Sequence, residues 1–352
     1  MVHDCKGYAA RDPSGQMSPY DFDRREVGAD DVHLKILYCG MCHSDLHQVR
    51  GEWGNSTFPM VPGHEITGVV EKVGSNVTKF KVGDKAAVGC MVNSCGSCKH
   101  CVVDCEQYCP KCIFTYNAKD VDGTVTQGGY STHVVVNERF VLKFPENLPL
   151  DAGAPLLCAG ITVYSPMKYF GLDKEGLRLA VVGLGGLGHM AVKIGKAMGM
   201  HVTVVSTHDG KKSIAMEGLG ADSFLVSKDE AAMQEAAGTF DGIIDTVSAK
   251  HDFGMYCSLL DTNGKYVVVG APPEPFDVNV FGLLFKRITL GGSLIGGIKE
   301  TQEMLDFCSA KNIVADIEKV PMDYVNTAME RMLAGDVKFR FVLDLATICY
   351  AF

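Results

Sequence analysis

Gly183-Leu184-Gly185-Gly186-Leu187-Gly188 follows an apolar run, 177–182, and precedes a helix-forming stretch, 187–198. A glycine pattern of this kind says little in isolation. Between a strand and a helix it predicts a dinucleotide-binding turn. Gly183 permits the tight turn, Gly185 lets backbone N–H groups approach a pyrophosphate, and Gly188 lets helix and strand pack closely. Gly186 and Leu187 open the helix, whose N-terminus attracts phosphate charge. With no ligand, the same turn would merely join strand to helix.

A second strand is expected at 201–205. An NAD site would carry Asp or Glu at its tip, for the adenosine ribose. This chain has Ser206 and Thr207, followed by His208, Asp209, Lys211 and Lys212. Hydroxyls and the Lys211 ammonium suit a 2′-phosphate, so the pattern predicts NADPH. Asp209 keeps NAD open, and the two lysines also fit the solvated start of a helix.

Further strands are expected at 223–226, 242–244, 265–269 and 288–290, mostly separated by helical segments. Such alternation predicts a doubly wound parallel sheet. Upstream, the β-rich runs 32–38, 66–73, 85–88 and 131–136 are punctuated by Gly63, Gly68, Gly74 and Gly83, which reads as antiparallel β structure. Downstream come helices at 300–310 and 325–333 and a closing strand at 339–345. The expected organisation is α/β. A largely antiparallel domain spans 1–157, a nucleotide-binding domain 158–296, and 297–352 returns to the first.

The chain has 352 residues and 47% hydrophobic content, enough for two cores. Its net charge of −9 and lack of a long basic run argue against nucleic acid and anionic membranes. The first fifteen residues hold no apolar run, and no membrane-length apolar stretch follows. The 14 cysteines then suit metal binding in a reducing cytoplasm better than disulfides.

Cys95, Cys98, Cys101 and Cys109 form C-x2-C-x2-C-x7-C. Four thiolates at such spacing predict a closed structural Zn2+ site that staples a lobe at about 90–115. Cys105 and Cys112 crowd the same loop, and Cys90 adds a further thiol nearby. Cys42, His64 and Cys158 are also ligand types, but they lie too far apart for spacing to join them.

Gly63-His64-Glu65-x2-Gly68-x5-Gly74-x2-Val77 resembles the zinc alcohol dehydrogenase signature of the medium-chain dehydrogenase/reductase superfamily. Nearly end to end, the chain is similar to its cinnamyl alcohol dehydrogenase branch. Gly7-Tyr8-Ala9-Ala10-Arg11-Asp12, Thr126-Gln127-Gly128-Gly129, Pro155-Leu156-Leu157-Cys158-Ala159-Gly160 and Arg340-Phe341-Val342-Leu343-Asp344 carry that likeness. The resemblance implies a GroES-like catalytic domain beside a Rossmann domain. It also implies a catalytic zinc on Cys42, His64 and Cys158, with Glu65 as exchangeable ligand and Asp45 orienting His64. Departures from the branch are Phe114, where an indole is common, and Ser-Thr-His in place of a serine run.

The expected reaction is reversible hydride transfer between NADPH and an aromatic, cinnamaldehyde-like aldehyde. Ser44 would supply the proton, relayed through the nicotinamide ribose to His47 and water. Ser44 also suits a helix N-cap before 45–50. Thr162 would touch the nicotinamide by the same resemblance. Trp53, Phe114 and Leu294 are expected together at the substrate pocket, although core packing is the better reading for any one of them taken singly. The alternatives are aliphatic or terpenoid aldehydes, reduction of an activated C=C or C=N bond, and a non-catalytic zinc-stapled binding protein. A homodimer is expected by the same likeness, with the 288–290 strand as a candidate interface.

Overall fold

A computed structural model describes residues 3–272, 274, 275 and 277–350. Two compact units emerge: Ala159–Ile295, and Met1–Cys158 together with Gly296–Phe352. Cys158 and Gly296 therefore fall with the Met1–Cys158/Gly296–Phe352 unit, one residue from each expected boundary. The reason at Cys158 is local, because its Sγ packs 3.9 Å from that of Cys42.

In the Ala159–Ile295 unit, six parallel strands are ordered Ser223–Val226, His201–Ser206, Arg178–Val182, Phe240–Asp245, Leu260–Val268, Thr289–Gly292. Arg178–Val182 is buried at four of its five positions. Burial on both faces is why it reads as an unbroken apolar run. Val182 is level with Val205 on one side and Asp245 on the other, so the turns that follow share the carboxyl edge of the sheet. The helix after the turn is Gly186–Ala197, one residue earlier than expected, because extended Gly185 already serves as its N-cap. The 288–290 expectation is realised as Thr289–Gly292, at the sheet edge.

The other unit is built on a seven-stranded sheet ordered Ile317–Pro321, Arg340–Asp344, Asp31–Gly40, Ile66–Val73, Lys85–Val88, Leu142–Lys143, with His133–Asn137 also paired to Asp31–Gly40. Only the Ile317–Pro321/Arg340–Asp344 pair is parallel. Residues 31–34 are all buried and Lys35 is exposed, so the strand is covered on both faces over its first half. The 131–136 strand begins two residues later than expected, at His133.

The lobe has little core of its own. Met91–Asn93 pairs with Ile113–Phe114, and two short 3-10 turns, Cys101–Val103 and Glu106–Tyr108, lie between. Among the described residues no helix is long and apolar enough to cross a membrane.

Candidate active site and structural metal lobe

Asp31–Gly40 delivers Met41 and Cys42 to the start of the helix His43–Val49. Cys42, not Ser44, is the N-cap, and Ser44 falls one residue inside the helix. The correction has a physical reason: the Asp45 carboxylate accepts the Cys42 N–H at 3.0 Å and caps the helix from its first turn. Asp45 also accepts from the Gly63 N–H at 3.1 Å and the Tyr130 hydroxyl at 3.1 Å, and lies 3.2 Å from His64 Nδ1. It has no exposed surface. Four donors on one buried carboxylate fix the imidazole and free its Nε2.

Cys42, His64, Glu65 and Cys158 place one ligand atom each within 4.8 Å of all the others, and all four are buried. Sulfurs sharing one Zn2+ at ~2.3 Å lie about 3.8 Å apart, which the 3.9 Å Cys42–Cys158 separation matches. The hydrogen bond from Cys158 holds the Cys42 thiol well below its ordinary range despite burial, and Cys158 is correspondingly pushed up. Burial opposes charge on His64, but the Asp45 carboxylate outweighs it and raises that pKa.

Glu65 is the unsatisfied member. Burial pushes its pKa up to about 8, against the pull of Arg340. Arg340 Nη2 approaches Glu65 Oε1 at 3.4 Å, yet neither carboxylate oxygen has a hydrogen-bond partner. Gly40 lies directly beneath, where a Cβ would meet Glu65 Oε2 at 1.9 Å. A buried carboxylate with free lone pairs beside two thiols and an imidazole is a donor set suited to zinc.

Ser44 Oγ lies 3.6 Å from Cys42 Sγ, beside the ligand cluster. His47 stands three residues on along the same helix face. Its Nδ1 bonds the Glu52 carboxylate and its ring stacks on Trp53 at 5.4 Å.

In the lobe, Cys95, Cys98, Cys101 and Cys109 form a second cluster. Three of its sulfur separations are 3.9 Å (Cys95–Cys101), 3.6 Å (Cys98–Cys101) and 3.5 Å (Cys95–Cys109), again close to a tetrahedral edge. Backbone N–H groups of Ser97 and Cys98 lower the Cys95 pKa from 9.0 to about 6. Cys105 and Cys112 stay outside the four. Cys90 contacts Cys158 instead of the lobe sulfurs, so this extra thiol borders the other cluster.

The glycine turn is shaped for close approach. Gly183 has φ +88°, and a Cβ on Gly188 would meet the Gly183 carbonyl at 2.1 Å. Gly185 faces open space. Lys211 Nζ donates to the Leu184 carbonyl at 2.8 Å, and burial lowers its pKa. Ser206 closes its strand, Thr207 follows, and Thr162 is buried in the helix Ala159–Tyr169.

With this geometry in view, the sequence matches two families: the alcohol dehydrogenase GroES-like domain over residues 28–146, and the zinc-binding dehydrogenase domain over residues 186–310. It is 60% identical to vomilenine reductase of Rauvolfia serpentina over 339 residues, 96% of this chain and 94% of that protein. The chain belongs to the zinc-type medium-chain alcohol dehydrogenases. The fold agrees with a cinnamyl alcohol dehydrogenase of Sorghum bicolor at TM-score 0.96 and 51% identity, covering 98% of both chains. It agrees also with the Helicobacter pylori CAD complexed with NADP(H), at TM-score 0.92 and 41% identity over 98% of this chain and 99% of that one. Membership in a dehydrogenase family makes the protein an oxidoreductase and sets aside the non-catalytic binding protein.

Sequence reasoning missed Tyr130 and Glu52. A tyrosine 85 positions from Asp45 leaves no local signal. Glu52, five residues after His47 in a helix-to-turn segment, was findable. Trp53, Phe114 and Leu294 are 46%, 43% and 49% exposed, so none is a core residue. None of them lines the cavity of about 340 Å³ bounded by Phe22, Arg24, Asp120 and Val135.

Proposed function

We propose that this alcohol dehydrogenase reduces aromatic, cinnamaldehyde-like aldehydes reversibly with NADPH, using one catalytic and one structural zinc per chain. The observation that carries the reading is the buried meeting of Cys42, His64 and Cys158 around an unsatisfied Glu65. When bound, zinc supplies Lewis acidity that polarises a carbonyl and stabilises developing negative charge. NADPH supplies the hydride. The chain's own groups hold the ligands and move the proton.

Asp45 holds His64 in one tautomer, and the Cys42 and Cys158 thiolates complete the ligand set. Glu65 would serve as an exchangeable ligand, with Arg340 Nη2 3.4 Å from its Oε1 to offset its charge. Ser44 gives the proton from its hydroxyl, and His47, oriented by Glu52, restores it from water. Ser206, Thr207 and Lys211 accept the 2′-phosphate. Gly183, Gly185, Gly186, Leu187 and Gly188 cradle the pyrophosphate, and Thr162 contacts the nicotinamide. Trp53, Phe114 and Leu294 offer apolar surface to an uncharged aldehyde. The 41%-identical CAD solved with NADP(H) supports the cofactor assignment.

Cys95, Cys98, Cys101 and Cys109 hold the structural zinc, supported by sulfur spacing and by N–H donors to sulfur. Thirteen described cysteines free of disulfides support a reducing, cytoplasmic setting. A homodimer is supported by the edge position of Thr289–Gly292 and the exposed apolar face of the neighbouring helix Val280–Lys286, which shows Val280, Phe281, Leu284 and Phe285.

A second reading, reduction of an activated C=C or C=N bond, draws on the 60% identity to a protein named a reductase. One experiment separates the two. Cinnamaldehyde and NADPH are incubated with the protein and the products resolved by chromatography. Cinnamyl alcohol is expected; saturated aldehyde favours the second reading. Absence of NADPH oxidation with cinnamaldehyde and with aliphatic or terpenoid aldehydes overturns the proposal.

A further inference from the structure

The strand Asp31–Gly40 lies between Ile66–Val73 and His133–Asn137. One residue from each brings a ligating side chain to a common point: His33, Glu71 and His133. The pairing shows how Glu71 gets there. His33 faces Lys72 and Leu34 faces Val70, which leaves Glu71 unpaired in a bulge. A bulge re-aims its extra side chain.

Glu71 Oε2 lies 3.9 Å from His33 Nδ1 and 3.5 Å from His133 Nε2, and the two imidazole centroids are 5.0 Å apart. An ion bonded at ~2.0 Å in tetrahedral geometry sets donor atoms about 3.3 Å apart and imidazole centroids about 5 Å apart. Closing this cluster on one ion would shorten the Glu71–His133 separation by about 0.2 Å and the Glu71–His33 separation by about 0.6 Å, within reach of side-chain rotation at the exposed Glu71. As they stand, both separations exceed a good N–H···O bond.

The surroundings fit a site open on one side. His33 is buried, His133 is 25% exposed and Glu71 41% exposed at their side chains, so water can complete the coordination. His133 Nδ1 pairs with the Thr132 hydroxyl at 2.9 Å, which turns Nε2 toward Glu71. Two imidazoles and one carboxylate favour Zn2+, Ni2+ or Co2+ over Mg2+ or Ca2+. Lys35 stands opposite His133 in the ladder, and Lys72 opposite His33. Their charges weaken the site without blocking it.

We propose that His33, Glu71 and His133 form a separate, solvent-facing site for one divalent transition-metal ion. It belongs to neither thiol cluster. Glu71 lies six residues after Glu65, which directly precedes the strand, a separation of up to about 20 Å at ~3.3 Å per residue. No bond in a substrate is made or broken there. The ion clips three adjacent strands, so it acts on stability.

The test uses tag-free, zinc-loaded protein and Ni2+ as the probe. Calorimetric titration at pH 7.5 is expected to give one equivalent more for wild type than for His133→Gln or Glu71→Gln. The extra equivalent should vanish at pH 5.5, as the imidazoles protonate. Ni2+ should raise Tm by a few degrees in wild type and leave both variants unmoved, and Lys35→Gln should tighten binding several-fold. Retained aldehyde reduction certifies that each variant has folded, and Glu71→Gln, at an exposed position, guards against a folding defect in the histidine variant. Equal stoichiometry in wild type and in both variants overturns the proposal, as does the absence of any extra equivalent in wild type.

Discussion

The two thiol clusters of the Met1–Cys158/Gly296–Phe352 unit use the same element of chemistry to opposite ends. In the lobe, four sulfurs from one fifteen-residue segment crowd to a tetrahedral edge, and backbone N–H groups point at them. In the other, two sulfurs and an imidazole arrive from three distant segments, with a carboxylate kept in reserve. On the proposed reading, the first set is saturated and only holds the chain together. The second leaves coordination to spare, and Ser44 and His47 on the adjoining helix are residue types suited to moving protons. In that reading local spacing makes a staple, and assembly across the fold makes a reaction centre.

The sharpest way to break that contrast is to remove one sulfur from each. Cys158→Ser is expected to lower kcat/KM by about 10³-fold or more with Tm nearly unchanged. Cys98→Ser should do the reverse: Tm falls by several degrees while turnover of the remaining folded enzyme persists. Steady-state kinetics paired with thermal melts decide it; a stability loss from Cys158→Ser equal to that from Cys98→Ser would erase the distinction.

Ser44→Ala leaves all the ligands in place and is expected to cost about 10²-fold in kcat. Unchanged turnover of cinnamaldehyde would remove Ser44 from the proton path. Asp45→Asn tests the support behind His64. A ~10–100-fold loss of metal affinity is expected at the open site and none in the lobe, read by competition with a chromophoric chelator.

The smallest effect is in pH. The folded pKa of Cys95, about 6, lies below its ordinary 9.0, so the thiolate is favoured by folding. Its contribution to metal-free stability is fully present above about pH 9 and lost as pH falls through about 6. Protons compete with metal in the same direction. Zinc release from the lobe should therefore begin only below about pH 6, because bound metal must be displaced as well, and Cys98→Ser should abolish that phase.

Different parts of this molecule were unequally legible in its sequence. The turn after Arg178–Val182 announced itself because strand, glycines and helix are contiguous, and the lobe because its ligands are separated by two and seven residues. Cys42, His64 and Cys158 carried no such signal; only the likeness of their flanking motifs to a known family joined them. Ser44 as N-cap was misread because cap preference ignores a carboxylate at the third helical position that can serve Cys42 instead. Cys90 was grouped with the lobe by proximity in sequence, while folding turns it toward Cys158. Tyr130 and Arg340 act across many residues, where neither periodicity nor spacing reaches.

The Cys42–His64–Cys158 cluster lies in a unit whose two stretches of chain are separated in sequence by the whole Ala159–Ile295 unit. Arg340, whose Nη2 lies 3.4 Å from Glu65, and the strand that pairs with residues 38–40 both come from the final stretch. On the ribosome, Ala159–Ile295 has its full complement of strands while its neighbour still lacks two. At ~5–20 residues per second, synthesis from Cys158 to Arg340 takes about 9–36 seconds, during which the Cys42–His64–Cys158 cluster lacks its nearby cation. The buried carboxylate thus meets its cation only after every strand of the Ala159–Ile295 sheet has been made.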